Sequence, residues 1–74
     1  MATIILEGWK EGLEKVSLTK LQIEILEKSL KESKENVDKL LDGEIVEITV
    51  DSINKAELFI QKANPIGVIC RYES

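Results

Sequence analysis

The sequence predicts an α+β fold: a two-layer sandwich in the order β-α-α-β-α-β, with a three-stranded antiparallel sheet covered on one face by three helices. Short β-branched runs occur at residues 3–7, 45–50 and 68–72, and the stretches between them place apolar residues at helical spacing. No internal repeat or low-complexity linker divides the 74 residues, so the chain reads as one domain over 1–74. Strands this short form a stable unit only if helices cover one face of a single sheet. With 43% hydrophobic residues and a single cysteine, no intrachain disulfide is possible and nearly every regular apolar position is needed in the core.

Thr3-Ile4-Ile5-Leu6-Glu7, closed by Gly8, is the first strand, and its consecutive apolar residues place it in the middle of the sheet. The other two strands are expected antiparallel to it. Trp9 to Glu14 is a connecting loop. Over Val16–Leu26, residues Leu18, Leu21 and Ile25 fall within roughly 60° of one another on a helical wheel and form the expected core stripe. Val16 and Ile23 lie on the other side of that helix with Lys20 between them, so packing against the sheet does not account for them.

A bend at Glu27-Lys28 leads to Ser29, which opens a second helix with Glu32 three positions on, the capping-box spacing. Leu30, Ser33, Val37, Leu40 and Leu41 share its apolar face, with Lys34 at the edge, and Asp42-Gly43 ends it. Ile45–Val50 is the second strand. Asp51 or Ser52 caps a third helix whose face carries Ile53, Ala56, Phe59, Ile60 and Ala63. Asn64-Pro65 stops that helix, Gly67 turns the chain, and Val68–Tyr72 is the last strand.

The formal net charge of −4, from 14 acidic and 10 basic residues scattered along the chain, argues against general affinity for nucleic acid, which needs a dense basic face. The apolar runs are too short for a signal peptide or a membrane span, and one cysteine suits a reducing compartment, so a cytoplasmic protein is expected. Cys70 reads as a small hydrophobe in a strand. With no histidine and one cysteine there is no triad, no imidazole base and no zinc set, and the four glycines make no phosphate-cradling motif. Carboxylate pairs such as Glu24 and Glu27 read as a solvated helix face. The expectation is a non-catalytic protein without cofactor or metal that works by presenting a surface.

Lys15-Val16-Ser17-Leu18-Thr19-Lys20-Leu21-Gln22-Ile23-Glu24-Ile25, the bend Glu27-Lys28-Ser29, and Leu30-Lys31-Glu32-Ser33-Lys34-Glu35-Asn36-Val37-Asp38 together follow a known spacing without a gap. They resemble the C-terminal domain of the bacterial ribosomal stalk protein, where a helix of the type K-[IV]-x-V-I-K-x-[IV]-R-x-[IL] precedes a glycine-containing bend and L-K-E-A-K-x-[LV]-V-[DE]. Ser52–Ala56, the helix that follows, Gly67 and the last strand are similar to that family's final third, so the likeness spans almost the whole chain. In that family the two helices dock on a helix of a translational GTPase through apolar residues ringed by cations. The resemblance therefore implies a protein-binding surface of Val16, Thr19, Lys20, Ile23, Lys31 and Lys34, and a partner of the translational GTPase class. Thr19 stands where the family commonly has isoleucine, Ile23 where it has arginine, and Glu27-Lys28-Ser29 where it has a glycine-rich bend. The family's dimerising helices and hinge have no counterpart before the first strand, which implies a stand-alone domain, monomeric or weakly self-associating.

Alternative readings stand beside these. Val16 and Ile23 could be ordinary exposed apolar residues, and Lys20, Lys31 and Lys34 a solvated face paired with Glu24, Glu27 and Glu35. Trp9 is either a lid on the core's open end or an exposed anchor; Leu58, off the third helix's stripe, is a further contact or nothing. The chain is also similar in element order to the Clp protease adaptor, which delivers substrates to a chaperone ATPase, but it lacks that family's Asn-Asp-Asp segment after the first strand. A self-associating domain is the third alternative.

Overall fold

The computed structural model describes residues 1–74 and has the predicted order: β1 (Ala2–Trp9), α1 (Lys15–Leu26), α2 (Leu30–Leu41), β2 (Val46–Val50), α3 (Ile53–Ala63), a 3-10 turn (Asn64–Ile66) and β3 (Val68–Glu73). The three strands form one antiparallel sheet in the order β2-β1-β3, with the most apolar strand in the middle as expected. No helix is long and apolar enough to cross a membrane.

One face of the sheet carries the core. Ala2, Ile4 and Leu6 of β1 lie opposite Val50, Ile48 and Val46 of β2, and all six are buried with Val68 of β3. Leu18, Leu26, Val37, Leu40, Ala56, Phe59 and Ala63 of the helices pack onto them. On the other face the strict alternation of β2 exposes Glu47 and Thr49. Arg71 lies there between Glu7 and Glu73, at 3.4 and 2.9 Å. Ile5, in register with Glu47 and Arg71, is only 6% exposed although no helix covers that face.

β1 runs through Trp9, two residues beyond the run the sequence marks, because a bulge intervenes. Leu6 pairs with Cys70 and Gly8 with Ile69, so Glu7 is an extra residue on the β3 side. The extra residue reverses the alternation and brings Trp9 into register with the buried Val68. Trp9 is therefore a strand residue rather than a loop residue, 44% exposed at the end of the sheet.

Local chemistry sets the helix ends. Ser29 Oγ accepts from the Glu32 N–H at 3.1 Å, and Ser52 Oγ accepts from the Lys55 N–H at 3.4 Å. Only this half of the expected capping box forms, since the Glu32 carboxylate faces Lys28 at 3.4 Å instead. Glu27 ends α1 in the left-handed conformation at φ 57°, and its carboxylate lies 2.6 Å from Lys55 Nζ on α3.

The buried sides of the helices depart from the wheel in detail. On α1 the fully buried residues are Leu18, Gln22 and Leu26, whereas Leu21 and Ile25 are half-buried at the margin. On α2 they are Ser33, Val37 and Leu40, with Leu41 half-buried and Leu30 53% exposed. On α3, Ala56, Phe59 and Ala63 are buried as expected, but Ile53 is 42% exposed.

Candidate functional site

α1 and α2 form a helical hairpin joined by Glu27-Lys28-Ser29. The outer groove between them is lined by Lys15, Val16 and Thr19 from α1 and by Lys34, Val37 and Asp38 from α2, and encloses about 200 Å³. Of the six residues the resemblance implies, Val16, Thr19 and Lys34 thus meet in one groove. Ile23 lies roughly 20° from Val16 on the wheel and two turns further along, so it continues the same ridge beyond the groove. Lys31 lies roughly 60° from Lys34 on the outward side of α2. Lys20 is on the opposite flank of α1, where it lines a second groove of about 500 Å³ with Leu21, Glu24, Gln61, Lys62 and Ile66 against α3. The six residues therefore do not make one pocket. Three line a groove, two extend its rims, and Lys20 stands across the α1 ridge.

The ridge is apolar and open: Val16 is 68% exposed and Ile23 37%. Leu30 belongs beside them. At 100° per residue Leu30, Lys34, Val37 and Leu41 share the flank of α2 that faces α1, and Leu30 is exposed there rather than in the core. As the first residue of α2 it has a side chain that tilts back past the helix end.

The lysines at this surface are not engaged within the chain. The ion pairs of the structure involve Lys28, Lys55 and Arg71; Lys15, Lys20, Lys31 and Lys34 take part in none. The intrahelical pairing with Glu24, Glu27 and Glu35 is therefore not formed, and Glu27 is turned instead toward Lys55. Thr19 Oγ1 donates to the Lys15 carbonyl at 3.1 Å, so its hydroxyl proton is used inside the helix. The surface thus offers apolar contact, ammonium groups and, in the groove, the carboxylate of Asp38.

Three residues beyond Thr19 on α1, Gln22 is fully buried at the junction with α2. Its Nε2 donates to the carbonyls of Leu18, at 3.3 Å, and Ser33, at 3.1 Å, while its Oε1 accepts from Asn36 Nδ2 at 2.9 Å. Its own carbonyl accepts from the backbone N–H groups of Glu27 and Lys28, the turn into α2. Ser33 Oγ is buried alongside without a partner. The signal for Gln22 in the sequence is its place halfway between Leu18 and Leu26, four residues from each, on what would otherwise be an apolar stripe.

Away from this surface, burial, with a smaller effect of Glu7, pushes the Cys70 thiol up to about 11, and its Sγ lies 3.5 Å from Asn64 Oδ1. The hydrogen bond to Glu57 holds Tyr72 above the usual phenol range. No three of the chain's Cys, Asp and Glu side chains gather as a metal site would require. The Leu58 side chain is 43% exposed on α3. Compared with the models of known protein families and with curated protein sequences, the chain matches none.

Proposed function

We propose that this chain is a non-catalytic protein-interaction module whose α1/α2 face receives a helical element of a partner protein, as the likeness to the ribosomal stalk domain implies. The observation that carries the reading is the conjunction of an exposed apolar ridge, Val16 and Ile23, with lysines that no carboxylate of the chain neutralises. Apolar residues ringed by unpaired cations fit an amphipathic helix whose apolar stripe is flanked by carboxylates. A translational GTPase is the partner class to test first. Amide shifts during titration with a purified GTPase nucleotide-binding domain are expected at Val16, Thr19, Lys20, Ile23, Lys31 and Lys34. Shifts confined to α3 or the open sheet face would overturn the assignment of the surface.

A further inference from the structure

Gln22 and Ser33 are the two polar residues of the buried set, and they lie together where α1 crosses α2. Both side-chain hydrogen bonds that join α1 to α2 are made by Gln22, to the Ser33 carbonyl and from Asn36. The same residue's backbone carbonyl takes the N–H groups of the turn connecting the two helices. A glutamine amide can make four hydrogen bonds, and this one makes three, with both donor hydrogens used.

Apolar packing alone does not account for such an arrangement. A leucine or methionine at position 22 would bury comparable apolar surface between Leu18 and Leu26 without a polar group to satisfy. Apolar contacts are non-directional, whereas a buried amide with fixed partners tolerates one placement of the neighbouring helix. Buried polar groups elsewhere set helix register at some cost in stability. Here the register decides what the groove displays. A slip of one turn, about 5.4 Å, would bring Leu30 or Asp38 to the place of Lys34 opposite Val16 and Thr19, exchanging a cation for an apolar group or an anion.

We infer that Gln22 is a positioning residue of the α1/α2 groove: its amide fixes the register of α2 on α1 and thereby the identity of the side chains presented outside. The functional consequence rests on the protein-binding reading above, but the register itself is measured on the free protein.

The test is Gln22→Met in the full chain, followed by amide shifts and residual dipolar couplings, with Ile48→Val as a control that loosens the sheet side of the core. The expected result is a urea midpoint equal to or above that of the parent, together with shifted or broadened amides at Val16, Thr19, Lys34 and Asp38 and a changed or averaged α1–α2 angle. Ile48→Val should lower the midpoint and leave those amides in place. Unmoved groove amides and an unchanged angle in Gln22→Met would overturn the inference. If Gln22→Met does not fold, Asn36→Ala decides: it removes the outer bond from a partly exposed position, and the groove amides either shift, as expected, or stay, which overturns the proposal. Ser33→Ala, which removes the one partnerless buried hydroxyl and none of the Gln22 bonds, should raise the midpoint without moving the groove.

Discussion

Val16 leaves 68% of its surface in water and Ile23 37%, so replacing both by serine removes little from the core. The double variant is expected to stay within about 1 kcal/mol of the parent in urea denaturation, while losing its response to the partner helix. A loss of several kcal/mol would show that the ridge supports the fold. Cys70 allows a second prediction at this scale. Its thiol is raised from an ordinary 9.0 to about 11, so between these values the unfolded chain has released a proton that the folded chain still holds. Stability contributed by the neutral buried thiol is thus complete below about pH 9 and declines as pH rises toward about 11. Lys55 and Tyr72 are also held above their ordinary values and give a decline of the same sign, but they are common to a Cys70→Ser variant. The urea midpoint of the parent should therefore fall more steeply with alkaline pH than that of Cys70→Ser, and equal slopes would remove the thiol from the account.

At the scale of elements, the last turn of the chain ties two loops together. Lys10 N–H donates to the Gly67 carbonyl at 2.8 Å and Glu14 N–H to the Ile66 carbonyl at 3.0 Å, so the β1–α1 loop rests on the turn before β3. Gly67 has φ 101°, and a Cβ there would stand 3.0 Å from the Leu13 Cα, which is backbone and cannot turn aside. Gly12 has φ 90° with open space around it. Gly67→Ala should therefore cost about 2 kcal/mol or more, against about 1 kcal/mol for Gly12→Ala, and thermal or urea unfolding of the pair separates strain from collision. Turns and caps were legible in the sequence because their chemistry is local: Ser29, Ser52, Gly43 and Gly67 mark their elements without reference to anything distant. The facing of the helices was legible only in outline. The wheel favoured Leu21 and Ile25 over Gln22 because it weighs polarity and does not see the three hydrogen bonds that satisfy the amide. Leu30 and Ile53 each begin a helix, where the side chain tilts back past the helix end, so both stand exposed although they fit their stripes. The bulge at Glu7, which extends β1 to Trp9, has Gly8 as its one local mark, and a glycine at that place reads equally as the end of a strand. Likewise the wheel sets Val16 and Ile23 away from the core, and only the family resemblance groups Thr19 and Lys34 with them, whereas the separate position of Lys20 depends on where α3 packs.

Across the whole molecule charges of both signs lie on the helix side as well as on the open face of the sheet. The chain carries a formal −4, yet Lys15, Lys20, Lys31 and Lys34 stand unpaired on the helix side, while Glu7, Glu47 and Glu73 lie on the open face of the sheet with only Arg71 among them. The shortest extent of the backbone is 19 Å, and at physiological ionic strength charges are screened over about 8 Å. A partner approaching the α1/α2 face therefore meets those lysines at contact, together with Asp38 of the groove and the exposed Glu35 of α2, and is shielded from the acids behind the sheet. An acid-flanked helix should bind more weakly as salt is raised above physiological strength, because screening then reaches the contact charges themselves. Reversal of two of these charges, Lys31→Glu with Lys34→Glu, should lower affinity by at least about tenfold, or ~1.4 kcal/mol. Neither lysine is in an ion pair, so the urea midpoint should hardly change. Glu47→Lys, on the open face, should leave affinity at physiological salt unchanged. Isothermal titration of the three proteins at two salt concentrations checks the set. Equal binding by the double charge reversal would place the contact elsewhere, and a large effect of Glu47→Lys would move it to the sheet.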